Sequence, residues 1–200
     1  MKAAHTLPSL TRSLAVLLIS LLLNTVADAR PSEAALWAAI RSGGHVVLMR
    51  HALAPGGGDP SNWTLADCAS QRNLSAAGIR QAERSGALFR ANGIDTLPVY
   101  SSRWCRAWDT AVAMDLGPVR SHPGLDSFFQ RPQAREGILS ALRELLRDLA
   151  DGPSVLMVSH QVTIRGISGV GLESGGLLVA RIEADGSLTP IGRLPTASSE

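Results

Sequence analysis

Two stretches of this chain are apolar without interruption and stop abruptly on a titratable side chain: "HVVLMRH", residues 45–51, and "SVLMVSH", residues 154–160. Runs that are continuous rather than alternating predict strands buried on both faces of a sheet. "LPVYSS" (97–102) and "PVRSH" (118–122) predict two more strands, and "GLLVARIEADGSLTPIGRL" (176–194) predicts a hairpin turning at Asp185-Gly186. Helical periodicity fills the intervals. Ser32 is a good N-cap for a short helix through Ile40, ended by Gly43-Gly44. Ser75 caps a second helix with Ile79, Ala82, Gly86 and Phe89 on one face and Asn92-Gly93 at its end. A third helix is predicted from Arg103 to Met114. In a fourth, Ile138, Leu142, Leu145 and Leu149 share a face before Gly152-Pro153 stops it. A small helical turn is expected after His160.

Strands that alternate with helices predict a three-layer α/β/α domain, its central sheet mostly parallel. Such sheets bind ligands at the carboxyl ends of their strands. The stretch 52–73 is rich in Gly, Pro, Ser and Asp and too long for a simple connection, and loops of that length are often functional. Its "APGGGDP" reads as a flexible rim, because neither a lysine nor a helix start follows it.

The first residues read differently. Lys2 and Arg12 precede the apolar run Leu14–Leu23, and Ala27-Asp28-Ala29 has the small-x-small form of a signal-peptidase site. Residues 1–29 are therefore expected to be a cleaved export signal, the run being too short to span a bilayer, and residues 30–200 a single domain. A periplasmic or secreted protein with no stable membrane span after cleavage is the expectation. Its formal net charge of +2 for the whole chain gives no reason to expect nucleic acid as a partner.

Lys2 is the only lysine among the 200 residues, which excludes P-loop, Schiff-base and kinase-type lysine chemistry from the domain. Its basic groups are arginines, whose planar paired donors fit phosphate and carboxylate oxygens. The histidines are scattered, so Cys68 and Cys105 do not form a zinc site. In an oxidising compartment a Cys68–Cys105 disulfide is expected, two buried thiols being the alternative.

Three strands deliver charged or titratable groups to one edge: Arg50-His51, Arg103 with Arg106, and His160. Two histidines among arginines, with little acid nearby, describe an anion pocket. "LMRHA", "RNLSAAGIRQA", "YSSRWCRAWDTA" and "VSHQ", in that order, resemble the histidine phosphatase (phosphoglycerate mutase-like) superfamily over roughly residues 45–170. The resemblance implies that His51 is the phosphoryl-accepting nucleophile and that Arg50, Arg106 and His160 hold the phosphate oxygens. A neutral imidazole is a good nucleophile, and fixed guanidinium donors stabilise a transferring phosphoryl group, so neither a metal nor a cofactor is expected.

Members of the family commonly place an acid in the loop after the third strand. Here that loop, "GLDSFFQRPQAREG", offers Asp126 and Glu136; Asp126 is the candidate general acid, with a turn cap as its alternative role. "RHALAPGG" lacks the extra arginine of the exported acid phosphatases, and Gln161 stands where they carry an acid. The chain is thus similar to the small, mutase-like branch, and within it to periplasmic phosphatases of lipopolysaccharide core heptose phosphate. The implied activity is a metal-independent phosphatase for a small phosphorylated substrate, such as an envelope phosphosugar. A silent phosphosugar-binding relative and an enzyme restricted to activated phosphoryl groups stay open as alternatives.

Overall fold

The structure is a computed structural model that describes residues 1–2 and 31–199; the expected export signal lies almost wholly outside these residues. Chain order is α1 (Glu33–Ser42), β1 (His45–Arg50), α2 (Ala76–Ala91), β2 (Val99–Ser101), α3 (Cys105–Met114), β3 (Val119–Ser121), α4 (Arg135–Leu149), β4 (Val155–Ser159), α5 (Gln161–Ser168), β5 (Leu177–Ile182) and β6 (Leu188–Leu194). The strands form one sheet in the order β3-β2-β4-β1-β5-β6. β3, β2, β4 and β1 run parallel, each joined through helical connections, and the β5–β6 hairpin lies antiparallel on β1.

The continuous apolar runs have a direct physical cause. Val47 and Met49 of β1, with Leu156 and Val158 of β4, face a core containing Trp37, Phe89 and Met114 from α1–α3. Their neighbours Val46, Leu48, Val155 and Met157 face the opposite core, which contains Leu142 and Leu146 of α4 and Ile164 of α5. Both pleat faces are dry, so neither carries polar residues. Leu48 is fully buried, and truncation to Ala is expected to cost about 2–5 kcal/mol.

Helix faces are shifted from the periodic reading by a residue. In α2 the buried face is Gly78, Ala82, Ser85, Gly86 and Phe89, whereas Ile79 is 43% exposed. Close backbone approach sets this rotation. A side chain at Gly78 would stand 2.1 Å from the Leu53 carbonyl oxygen, and one at Gly86 1.9 Å from that of Met114. In α4 the buried line is Leu139, Leu142 and Leu146, with Ile138, Leu145 and Leu149 flanking it half-buried. The turn expected after His160 is a two-turn helix, α5. α3 starts at Cys105 rather than at Arg103, because the chain bends at residues 103–104 before the Trp104 cap.

Candidate active site

The carboxyl ends of β1, β2 and β4 open into a cavity of about 210 Å³ whose wall holds three arginines, Arg50, Arg72 and Arg106, and two histidines, His51 and His160. Gly56–Gly58, Ser127, Phe129, Gln130 and Gln161 line its mouth. The pocket expected at the strand ends is therefore present, and it gathers Arg50, His51, Arg106 and His160 together.

β1 holds its own end rigidly. The loop after Leu172 returns beside it: the Arg50 N–H donates to the Gly176 carbonyl (3.1 Å), and the Gly175 N–H donates to the carbonyls of Arg50 (3.1 Å) and His51 (3.2 Å). Beyond His51, the Ala52 N–H donates to Thr110 Oγ1 (3.0 Å), whose hydroxyl donates to the Arg106 carbonyl (2.7 Å). The nucleophile candidate and the helix bearing Arg106 are thus one hydrogen-bonded unit. Gln81 extends that unit, accepting from the Leu53 N–H and donating to the carbonyls of Ser174 and Ala197.

His51 is buried, and its Nδ1 lies 2.8 Å from the Ala52 carbonyl oxygen. A carbonyl only accepts, so Nδ1 carries the hydrogen and Nε2 keeps its lone pair. Burial, with Arg106, Arg72 and Arg50 nearby, depresses the His51 pKa to about 3, against the bond to Ala52 that favours the protonated form. The imidazole is neutral over the whole ordinary pH range. His160 is also pushed well below its usual value, first by burial and then by His51 and the three arginines. The two rings stand 5.4 Å apart, edge to face.

Arg72 was not singled out by sequence reasoning. It extends from the stretch leading into α2 and donates through Nε to the Gly58 carbonyl (2.9 Å) and through Nη1 to that of Ala54. Burial and the neighbouring arginines lower the pKa values of Arg50 and Arg72, with Glu173 and Asp59 respectively acting in the opposite sense. Such mutual repulsion favours a bound anion. The signal for Arg72 was its place in "RNLSAAG", just ahead of the Ser75 cap.

Asp59 is the second residue missed. Its carboxylate meets Arg106 end-on, Nη1 to Oδ1 at 2.7 Å and Nη2 to Oδ2 at 3.3 Å, with both side chains 3% exposed. It also accepts from the Arg72 N–H (3.0 Å) and from Trp104 Nε1 (3.0 Å). The Arg72 carbonyl takes another Nη1 hydrogen at 3.3 Å. A guanidinium has five N–H donors, so Nε–H and one hydrogen on Nη2 remain, a side-on pair suited to two oxygens of one anion. Nε of Arg106 is buried without a protein partner. The "APGGGDP" rim is largely exposed but carries one buried anchor: the Asp59 side chain fixes Arg106, and Gln130 pins the Asp59 backbone by accepting from its N–H (2.8 Å) and donating to its carbonyl (3.1 Å).

Asp126, the candidate general acid, stands elsewhere. Its carboxylate is buried outside the cavity lining, where it accepts from the Arg103 N–H (3.0 Å), from Arg103 Nε (2.8 Å) and Nη2, and from the Ser102 hydroxyl (3.3 Å). Ser127, the next residue, is the one that faces the cavity. Glu136 is exposed on α4 beside Arg135. His122 caps the turn after β3 by accepting from the Gly124 N–H (3.1 Å). Trp63 and Trp104 pack tilted against each other with ring centroids 4.9 Å apart and Arg131 over both rings, whereas Trp108 is exposed. Cys68 and Cys105 are bridged, Cα to Cα 5.7 Å, which ties the loop bearing Asp59 and Arg72 to the start of α3. Among the described residues no three His, Cys, Asp or Glu side chains group as a metal site requires. Nor is any helix among them long and apolar enough to cross a membrane.

Residues 46–128 match the sequence model of the histidine phosphatase superfamily (branch 1). No curated protein matches the chain in sequence. Many solved structures share its fold. A mycobacterial glucosyl-3-phosphoglycerate phosphatase with inorganic phosphate is 17% identical, with a TM-score of 0.53 over 78% of this chain and 98% of its own. A proposed phosphohistidine phosphatase, SixA, of Nakamurella multipartitia is 21% identical, with a TM-score of 0.53 over 76% of this chain and 95% of its own. An open reading frame product of Mycobacterium tuberculosis is 16% identical, with a TM-score of 0.56 over 78% of this chain and 98% of its own.

Proposed function

We propose that this chain, whose residues 46–128 match the histidine phosphatase superfamily model, is a phosphatase that works through a phosphohistidine on His51. The observation that carries this reading is the 2.8 Å bond from His51 Nδ1–H to the Ala52 carbonyl, which fixes the tautomer and leaves Nε2 as a neutral nucleophile. Nε2 attacks phosphorus, and the guanidinium groups of Arg50, Arg72 and Arg106 neutralise the charge spread over the equatorial oxygens. Water then attacks the phosphohistidine and releases phosphate. The positive charge needed at the transition state is supplied by side chains of the chain itself. Phosphate release by the purified protein with chelator present, from an aryl phosphate and a panel of sugar phosphates, tests the reading beside His51→Ala. Release that survives chelation and vanishes in the variant supports it; release from both proteins alike overturns it.

The placement of Asp126 favours one narrower reading of the substrate. No carboxylate lines the cavity, so phosphoryl groups on leaving groups that need no acid, such as phosphohistidine or acyl phosphates, are expected to be the fastest substrates. A phosphosugar of the cell envelope remains the alternative from the sequence likeness. The leader-like residues 1–29 and the Cys68–Cys105 bridge support a periplasmic or secreted location, where disulfides persist.

A further inference from the structure

The strand order of the sheet sets up a chain of buried polar groups that the phosphatase reading leaves unused. Read along the edge from β3 to β2, β4 and β1, the residues delivered are Asp126, Ser102, His160 and His51. The first three are in hydrogen-bond contact: Ser102 Oγ lies 3.3 Å from Asp126 Oδ1 and 2.8 Å from His160 Nε2. All three are buried, and Thr163 Oγ1 further pins the Asp126 backbone by donating to its carbonyl at 2.6 Å.

Counting donors assigns the protons. A serine hydroxyl has one hydrogen and two acceptor positions. The Trp104 N–H fills one acceptor position at 3.2 Å. The Asp126 carboxylate, already holding the Arg103 guanidinium, only accepts, so it takes the Ser102 hydrogen. The remaining lone pair of Ser102 then faces His160 Nε2, which must carry a hydrogen. The opposite assignment sets a carboxylate oxygen against a serine lone pair in a dry site, where an unmatched contact is costly. His160 is left with Nδ1 as the nitrogen available to the cavity it lines.

We propose that Ser102 and Asp126 are positioning residues that hold His160 as the Nε2–H form, so that His160 Nδ1 serves as the proton donor to the leaving oxygen. The proposal rests on the phosphatase reading above and supplies the acid that the cavity otherwise lacks. Arrival of a phosphate dianion beside His160 favours its protonated state, against burial first and then His51, Arg106, Arg72 and Arg50. In the first step the His51 Nε2–P bond forms and the P–O bond breaks. The leaving oxygen keeps that electron pair and takes the proton from His160 Nδ1. In the second step water attacks phosphorus and the P–N bond electrons return to His51. The proton lost by water goes to Nδ1, restoring the starting state with alcohol and hydrogen phosphate as products.

Two measurements on the full chain separate this proposal from a merely structural role. The first compares Ser102→Ala and Asp126→Asn with the parent on phosphate esters of graded leaving-group basicity. General acid catalysis contributes about 10²–10⁴-fold, and its partial loss is expected to cost about 10- to 100-fold in kcat on an alkyl phosphate. On 4-nitrophenyl phosphate, whose leaving group departs without a proton, the cost is expected to be under about 3-fold for the same reason. An equal loss across the series would overturn the proposal. The second is ¹⁵N-histidine NMR of the substrate-free protein, which reads the tautomer without turnover. A protonated Nε2 on His160 that becomes a mixture in Ser102→Ala supports the assignment; a bare Nε2 in the parent overturns it. If the parent hydrolyses no phosphoryl compound, the phosphatase reading fails, and the NMR result still decides the tautomer.

Discussion

Arg103 and Arg106 stand three positions apart in sequence, yet each holds a buried carboxylate in a different region of the molecule. The Arg106–Asp59 pair is sealed in the cavity wall, both side chains 3% exposed. The Arg103–Asp126 pair lies outside the cavity lining, with Arg103 46% and Asp126 1% exposed. The cause is local backbone: Arg103 lies in the bend before the helix, whereas Arg106 sits in the first turn of α3. One pair meets its guanidinium end-on and leaves the side-on donors for an anion. The other uses the side-on donors internally. The same two residue types thus make a ligand-binding group in one region and a supporting strut in the other.

That contrast breaks most visibly in catalysis. Arg106→Ala is expected to lower kcat/KM by about 10²–10³-fold, comparable to loss of a transition-state donor. Arg103→Ala, which touches the reaction only through Asp126, is expected to cost about tenfold or less, since it removes no transition-state donor. Equal losses in steady-state kinetics would erase the distinction. Stability should sharpen it. Asp59→Ala leaves Arg106 buried without its partner, and such losses run to about 3–5 kcal/mol. In thermal unfolding, Arg103→Ala is expected to lower Tm by less than Asp59→Ala, because the Asp126 carboxylate left behind keeps its bonds from the backbone N–H of residue 103 and from the Ser102 hydroxyl, whereas Arg106 would keep only the Arg72 carbonyl.

Anion binding offers a third test. Inorganic phosphate at 100 times its Kd should stabilise the parent by about 2.7 kcal/mol, with Arg103→Ala responding alike and Arg106→Ala scarcely at all. The smallest effect is on pH. His51, with a folded pKa of about 3 against an unfolded value near 6.5, binds its proton more readily when unfolded. Its contribution is therefore full above about 6.5 and is lost as pH falls toward 3. His160 acts in the same direction. Denaturation midpoints at pH 7 and pH 5 should differ less for His51→Ala than for the parent.

Much of this arrangement could be read from the sequence because it is short-range. The continuous apolar runs of β1 and β4 follow from burial on both pleat faces, and the strand ends place Arg50, His51 and His160 without further information. Asp59 and Arg72 escaped because their meaning is made at a distance. The Arg106–Asp59 contact spans 47 positions, and a Gly- and Pro-rich segment gives no periodic signal of what it will touch. Asp126 was found but assigned the wrong surroundings: a one-residue difference turns Ser127, not Asp126, toward the cavity. Ile79 failed for the related reason that glycine contacts, rather than side-chain hydropathy, rotate α2.

The Cys68–Cys105 bridge has a consequence for the history of each molecule. It closes a loop across 37 positions, a constraint on the unfolded chain of about 4 kcal/mol by chain entropy. The wall it secures carries Asp59 and Arg72, while Arg106 follows directly after Cys105. Two molecules of identical sequence, one folded among reduced thiols and one among oxidants, therefore differ in how firmly the cavity is shut against its own unfolding. The protein carries a chemical record of where it matured, written beside the residues that do its work.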